Sequence, residues 1–397
     1  MEIRLNNQNG NATLFLIGRL DTSAAGEAMT EIHNILNKEQ DIKQLTCDAS
    51  ELTYISSTGL RIILQLRKAY PQFEVIEVQP EVYNVFEMTG FTKMMRIEKA
   101  LRQIDITGCE EIGRGGVGIV YRLTPDSIIK VFREGSDIKE VSKEISMAKE
   151  AFVLGMPTAI SFDIVKVGSQ YGLVYELLDA KTLSSCINEH PERLEEYAIK
   201  YAHLFRQLHS IEVPANSTIP NAHENEIKAI EHISRYFADD EIEMMKQILK
   251  AIPQGNRLLH CDLQTKNVML QGDEPMLIDM GEVGYGHPLI DLGHAKSAMV
   301  YLVGDYEAVI GFPKKYSEQL WDIFIHEYFK GETEEMITHR DSQITAVARL
   351  RNFSWLSLSD SFPEAVIREC QQHFKTAVGS HKDEILAICR TFNDWKL

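Results

Sequence analysis

Apolar positions in the first hundred residues switch between two periods. Thr13-Leu14-Phe15-Leu16-Ile17 predicts a strand, and Gly18-Arg19-Leu20-Asp21-Thr22-Ser23 leads from it to a helix beginning near Ala24, with Asp21, Thr22 or Ser23 placed to cap it. Leu45-Thr46-Cys47-Asp48 predicts a second strand. After Ser56-Ser57-Thr58-Gly59, the residues Leu60, Ile63, Leu64 and Leu66 recur at helical spacing. Residues 73–76 then predict a strand, and residues 82–88 a short helix stopped by Gly90. Residues 1 to about 100 therefore read as a compact α/β unit.

A second pattern starts near Ile106. Residues 111–121 form a glycine-rich hairpin, Ser127–Phe132 a strand, and residues 138–154 a helix ended by Gly155 and Pro157. After the apolar run 173–177 the chain is predominantly helical. One interruption stands out, where runs 268–270 and 276–278 predict two strands joined by a Gly272-Asp273 turn. The junction between the two patterns falls at 103–107, too short for a long tether. The expected division is a first domain at 1–103, a small lobe at 104–180 and a mainly helical lobe at 181–397, giving an α/β domain followed by an α+β bilobal domain.

Composition changes this picture mostly by exclusion. The 397 residues allow two or three domains with sizeable cores. A formal net charge of -17 argues against nonspecific nucleic-acid binding, which needs a basic surface. No apolar run approaches the roughly 20 residues that span a bilayer. The opening Met1-Glu2-Ile3-Arg4 shows neither the basic nor the apolar region of a signal peptide. The six cysteines are dispersed without a C-x-x-C pair, which predicts reduced thiols in a cytoplasmic protein rather than a disulfide framework or a zinc site.

The candidate chemistry lies in the second pattern. Gly113-x-Gly115-Gly116-x-Gly118-x-Val120 sits between two strand-like runs, where glycines allow backbone N–H groups to approach phosphates; a tight, non-binding hairpin reads equally well from this motif alone. A dinucleotide-binding turn fits less well because a strand, not a helix, follows. Lys130, in the next strand, is a candidate for the α/β-phosphates of a nucleotide, against the ordinary reading of a solvent-facing lysine. Glu144 on the following helix is the preferred partner for it, with Glu140 and Glu150 as rivals. In His260-x-Asp262-x-x-x-x-Asn267, Asp262 is a candidate base and Asn267 a metal ligand. Asp279-Met280-Gly281 adds a second oxygen ligand, a set suited to Mg²⁺ bridging nucleotide phosphates. Any one of these residues alone would be read as a turn cap.

In order, these motifs resemble the protein-kinase-like fold, and within it the aminoglycoside phosphotransferase and choline-kinase-like branch, over roughly residues 106 to 300. The resemblance implies that Val174-Tyr175-Glu176-Leu177-Leu178-Asp179 is the hinge whose backbone holds adenine, naming Glu176 and Leu178, and that Asp291 in Gly286-His287-Pro288-Leu289-Ile290-Asp291-Leu292 is structural. No Ala-Pro-Glu follows Asp279, so a typical eukaryotic protein kinase fits less well. Cys261 and Gln264 depart from the usual residues of relatives, and the direction of Lys266 is open.

Residues 1 to about 100 resemble a STAS domain, the fold of bacterial anti-sigma-factor antagonists, through Gly18-x-Leu20-Asp21, Cys47-Asp48-Ala49-Ser50, Ser56-Ser57-Thr58-Gly59-Leu60 and Met88-Thr89-Gly90-Phe91. The resemblance implies Ser57 as a phosphorylation site, with Ser56 in place of the usual Asp; simple capping by both serines is the alternative. The expected function is an ATP- and Mg²⁺-dependent transfer of the γ-phosphoryl group to a small-molecule hydroxyl, with the STAS unit regulating or recruiting through a protein partner. The alternatives are a protein kinase acting on Ser57 in cis or in trans, and a non-catalytic interaction protein. Segments 222–250 and 301–397 are expected to shape the acceptor pocket. Their acidic stretches Asp239-Asp240-Glu241 and Glu332-Thr333-Glu334-Glu335 read either as a cation-favouring lining or as solvated helix faces.

Overall fold

A computed structural model of the chain describes residues 1–39, 42–115, 117–302, 306–354, 356 and 363–395. Backbone contacts divide it into two units, Met1–Ile104 and Asp105–Leu397. The first carries β1 (Glu2–Gln8), β2 (Asn11–Leu20), α1 (Ala25–Leu36), β3 (Gln44–Asp48), β4 (Leu52–Ile55), α2 (Ser57–Ala69), β5 (Glu74–Val78), α3 (Pro80–Met88), β6 (Ile97–Lys99) and the two-residue β7 (Arg102–Gln103). Strands run in the order β1-β2-β3-β5-β6, with β4 beside the end of β2. Only β1 is antiparallel to its neighbour. Leu14, Leu16 and Leu20 alternate into a core shared with Ile32, Ile63 and Phe86. Helix α1 begins one residue later than the sequence predicts. Asp21 caps the preceding turn, accepting from the backbone N–H of Ser23 and Ala24.

The second unit opens with β8 (Glu111–Arg114), β9 (Gly118–Thr124), β10 (Ser127–Phe132), α4 (Ile138–Val153), β11 (Ser161–Val167) and β12 (Gln170–Glu176). These strands lie antiparallel in the order β11-β12-β10-β9-β8. Strand β11 escapes the sequence reading because its register shifts between Ser161 and Asp163. The bulge leaves Phe162 exposed and breaks the apolar alternation. After β13 (Lys181–Thr182) come α5 (Leu183–Glu189), α6 (Leu194–Ser210), α7 (Ala222–His232) and α8 (Asp239–Ala251). Two small sheets follow: β14 (Arg257–Leu259) pairs with β17 (Gly284–Gly286), and β15 (Val268–Gln271) pairs with both β13 and β16 (Glu274–Leu277). The predicted hairpin is therefore present, and its β15 edge is covered by β13. Helices α9 (Leu289–Lys296), α10 (Tyr306–Ile310), α11 (Ser317–Tyr328), α12 (Glu334–Ser354), α13 (Glu364–Ala377) and α14 (Lys382–Cys389) complete the unit. Tyr201, Phe205, Phe324 and Trp321 stack at the centre of its main core.

At the entrance to α9, His287 is buried, and its Nδ1 accepts from the backbone N–H of Leu289. Its other nitrogen has no hydrogen-bond partner among the described residues, and the ring stands edge-on to Trp395. Burial pulls the imidazole down to about 4, with the charges of His209 and Arg340 adding to the effect. The unfolded chain therefore takes up this proton near pH 6.5, before the folded chain does, so acidification from 6.5 toward 4 favours unfolding. Urea unfolding across that range should show stability lost on acidification by up to roughly 3 kcal/mol from this group. His287→Gln should flatten that part of the profile; an unchanged slope would refute the assignment.

Candidate active site

Lys130 lies on β10, in register with Val120 of β9 and Leu173 of β12. Glu144 belongs to the buried stripe of α4, with Val141, Ile145 and Ala148 at helical spacing. The Lys130 ammonium donates to Glu144 Oε1 at 2.9 Å, to Glu144 Oε2 at 3.1 Å and to Asp279 Oδ1 at 3.1 Å. Side-chain exposure is 13% for Lys130, 7% for Glu144 and 45% for Asp279, so the carboxylate most open to solvent is the aspartate. Burial pulls the Lys130 ammonium down, yet the charges of Asp279 and Glu144 outweigh it and hold its pKa above the ordinary value. The rivals are placed elsewhere. Glu150 accepts from Ser217 and Thr218, and Glu140 is exposed.

The segment after β14 carries the second group. Asn267 Nδ2 donates to the backbone oxygen and to Oδ2 of Asp262, both at 2.8 Å. Gln264 also reaches the Asp262 carboxylate, at 3.3 Å. Two residues here adopt left-handed backbone conformations rare for side chains: Cys261 (φ 63°) beside Asp262, and Asp279 itself (φ 64°). The strain is held in place by buried polar groups. Asp291, fully buried on α9, accepts from the backbone N–H of His260 at 2.9 Å and of Cys261 at 2.7 Å, and meets His209 Nε2 at 3.2 Å. His294 Nδ1 donates to the Cys261 carbonyl at 2.6 Å, and His260 Nε2 donates to the Ile278 carbonyl at 3.0 Å, just before Asp279. The Tyr201 hydroxyl holds the Leu263 carbonyl. Although burial opposes ionisation of Asp291, hydrogen bonds and the charge of His209 keep its pKa below the ordinary value.

Two cavities meet here. One, of about 370 Å³, is lined by Gly113, Gly115, Gly118, Val120, Lys130, Glu144, Glu176, Leu178, Asn267 and Asp279. The other, about 730 Å³, is bordered by Glu140, Lys143, Asp262, Asp279, Glu282 and His294 together with apolar Leu263, Leu302 and Val309. Asp279 borders both. The candidates named from the sequence thus converge, save Gly116, which lies outside the described residues, and Ser57, which lies in the first unit. Ser57 is the exposed first residue of α2, whereas Ser56 supplies the cap, its Oγ accepting from Gly59 N–H. Lys266 donates to the Ala308 carbonyl. Of the two readings of the acidic stretches, the cation-favouring lining is not met: neither stretch lines a cavity described above. Asp239, Asp240 and Glu241 occupy the first turn of α8, where Glu241 caps Ala238 N–H, while Glu332 pairs with Arg340 and Glu334 with His326. Negative residues at a helix start are stabilised there by the helix dipole and the open N–H groups.

The sequence reading assigned no part in the site to the residues that hold it from behind. Asp291 was read only as structural by resemblance, and Tyr201, His209 and His294 act across 82 positions or fewer through contacts that no periodicity encodes. Tyr175, whose hydroxyl donates to Glu144 Oε1 at 2.7 Å, was also missed. Its one legible signal is alternation: it shares a face of β12 with Leu173, the register partner of Lys130.

Residues 110–329 match the phosphotransferase enzyme family. The chain belongs to that family. It is accordingly a phosphotransferase. Residues 2–104 match the STAS domain. The chain is 28% identical over 101 residues to BtrV of Bordetella bronchiseptica, provisionally named an anti-sigma factor antagonist, covering 24% of this chain and 85% of that one. Among solved structures, a choline/ethanolamine kinase family protein from Mesorhizobium loti superposes with a TM-score of 0.50 at 18% identity, covering 71% of this chain and 92% of that chain; the likeness concerns the fold. No helix among the described residues is long and apolar enough to cross a membrane.

The glycines of the hairpin differ in what they require. A Cβ on Gly118 would lie 2.2 Å from the Val131 carbonyl oxygen of the neighbouring strand, whereas one on Gly115 would meet nothing within 4 Å. Gly118→Ala should therefore cost about 2–3 kcal/mol in denaturant unfolding, and Gly115→Ala less than about 1. Equal costs would contradict the packing described for β9 and β10.

Proposed function

We propose that this phosphotransferase uses ATP with Mg²⁺ to transfer the γ-phosphoryl group to a hydroxyl of a small molecule. The observation that carries the reading is the meeting of two cavities at Asp279, one rimmed by the glycine hairpin and Lys130, the other by Asp262. In this reading the backbone of the hairpin and Lys130 hold the triphosphate, Glu144 holds Lys130, and the hinge at Glu176 and Leu178 holds the base. Asp262 accepts the acceptor's proton and orients its oxygen. Phosphoryl transfer asks mainly for such positioning and for neutralised charge.

The residues present fit a magnesium ion. Asn267 and Asp279 offer hard oxygen donors, and Mg²⁺ is commonly held by one or two carboxylates with the rest supplied by phosphates and water. Held there by Asn267 and Asp279, the ion would offset the negative charge of the phosphates. The Asn267 amide is already oriented by its two bonds to Asp262.

We assign the acceptor to the 730 Å³ cavity. Beyond the Lys130 partners Glu144 and Asp279, its carboxylates Glu140, Asp262 and Glu282 outnumber its one described lysine, Lys143, which favours an acceptor carrying positive charge beside an apolar portion. The division into a STAS unit at 1–103 for regulation or recruitment of a protein partner, a small lobe at 104–180 and a large lobe at 181–397, in a cytoplasmic protein, belongs to the same reading. A second reading takes Ser57 as the acceptor. It is favoured by the exposure of Ser57 and by the cap resting on Ser56 instead.

Asp262→Asn should lower transfer from γ-labelled ATP by at least about 10³-fold while leaving nucleotide affinity within a few-fold. Full activity in the folded variant would remove Asp262 from its role. Peptide mapping of the wild-type reaction separates the acceptors: label on a small molecule supports the first reading, and label concentrated on Ser57 supports the second.

A further inference from the structure

Lysine has three N–H donors, and in this structure all three are spent: two on the Glu144 oxygens and one on Asp279 Oδ1. Only the bond to Asp279 is open to exchange. Both carboxylates border the two cavities, but that of Asp279 is nearly half exposed, while Glu144 is buried on the packed face of α4. If Lys130 is to turn a proton toward a phosphate, Glu144 must stay where it is as the other bond is released. A carboxylate held by the lysine alone would follow the ammonium. The structure supplies a second anchor. Tyr175 Oη donates to Glu144 Oε1 at 2.7 Å from β12, a strand fixed to β10 in antiparallel register. Its ring packs with Phe132, Val141, Ile145 and Leu173 between that sheet and α4.

We propose that Tyr175 is a positioning residue: its hydroxyl pins Glu144 to the sheet, so that Lys130 keeps two bonds to Glu144 and frees its third for the nucleotide. This rests on the nucleotide-binding reading of the cavity and deepens it. Burial and the neighbouring negative charge of Glu144 push the phenol well above its ordinary range, so it stays protonated and remains a donor at any physiological pH. No other side-chain hydroxyl is described on Glu144, and a phenylalanine at 175 would preserve the packing while deleting the anchor.

The test is a double-mutant cycle on the full chain. Binding of Mg²⁺-ATP, or of Mg²⁺-GTP if the wild type prefers it, is measured calorimetrically for wild type, Tyr175→Phe, Glu144→Gln and the double variant. Thermal unfolding checks that each is folded. Tyr175→Phe should weaken nucleotide binding by about 10-fold and raise the nucleotide KM accordingly, with kcat changed less than about 3-fold. In the Glu144→Gln background the same change should weaken binding less than about 2-fold, because the hydroxyl acts through that carboxylate. Should Glu144→Gln fail to fold, Lys130→Arg takes its place in the cycle. Wild-type affinity in Tyr175→Phe, or equal losses in both backgrounds, would overturn the proposal while leaving the nucleotide site intact. A wild type that binds neither nucleotide would overturn the functional reading and this proposal together.

Discussion

A largely buried ammonium with two carboxylate partners organises the second unit. Lys130, Glu144 and Asp279 come from a strand, a helix and the turn after β16, and the lysine and aspartate are 149 positions apart. Removing such charges from water costs several kcal/mol unless every donor is met, and here each ammonium proton has an oxygen. That requirement fixes the phase of α4, since Glu144 must share the stripe of Val141 and Ala148. It also places Asp279 at the mouth of two cavities. The same geometry is suited to triphosphate chemistry, because a cation already balanced by an exposed carboxylate can exchange that partner for another anion.

The loop opposite is held by a different device. Asp262 follows a left-handed Cys261, a conformation costing roughly 1–2 kcal/mol for a residue with a side chain. The cost is met by Asp291, which takes two successive backbone N–H groups, and by His294 and Tyr201, which take the carbonyls on either side of Asp262. Position and reactivity are thus divided: residues that face the cavities bond one another, while buried residues behind them set the backbone.

This division explains how much the sequence disclosed. Strands with alternating apolar residues, the glycine hairpin and the phase of α4 follow from local periodicity, so β10, α4 and the β15–β16 hairpin were legible. The gathering of Lys130, Asp262, Asn267 and Asp279 around adjoining cavities was legible from the order of their motifs along the chain. Strand β11 was not, because its bulge at Phe162 destroys the period. The acidic stretches at 239–241 and 332–335 stayed open between two readings, since charge without a known helix phase does not say which surface it faces; the structure places them at a helix start and in ion pairs away from the cavities. The long-range partners Asp291–Cys261 and Tyr175–Glu144 leave no local trace, being hydrogen bonds between segments set side by side only by the completed fold.

The most direct test of the account is equilibrium binding of a non-hydrolysable ATP analogue with Mg²⁺ to the wild type and to Lys130→Met. The account predicts saturable one-to-one binding by the wild type and a loss of at least about 10-fold in the variant, which trades a charged contact for a neutral side chain of similar length. Equal affinities in two folded proteins would contradict it, for the ammonium on which the site is built would then have no part in holding the nucleotide.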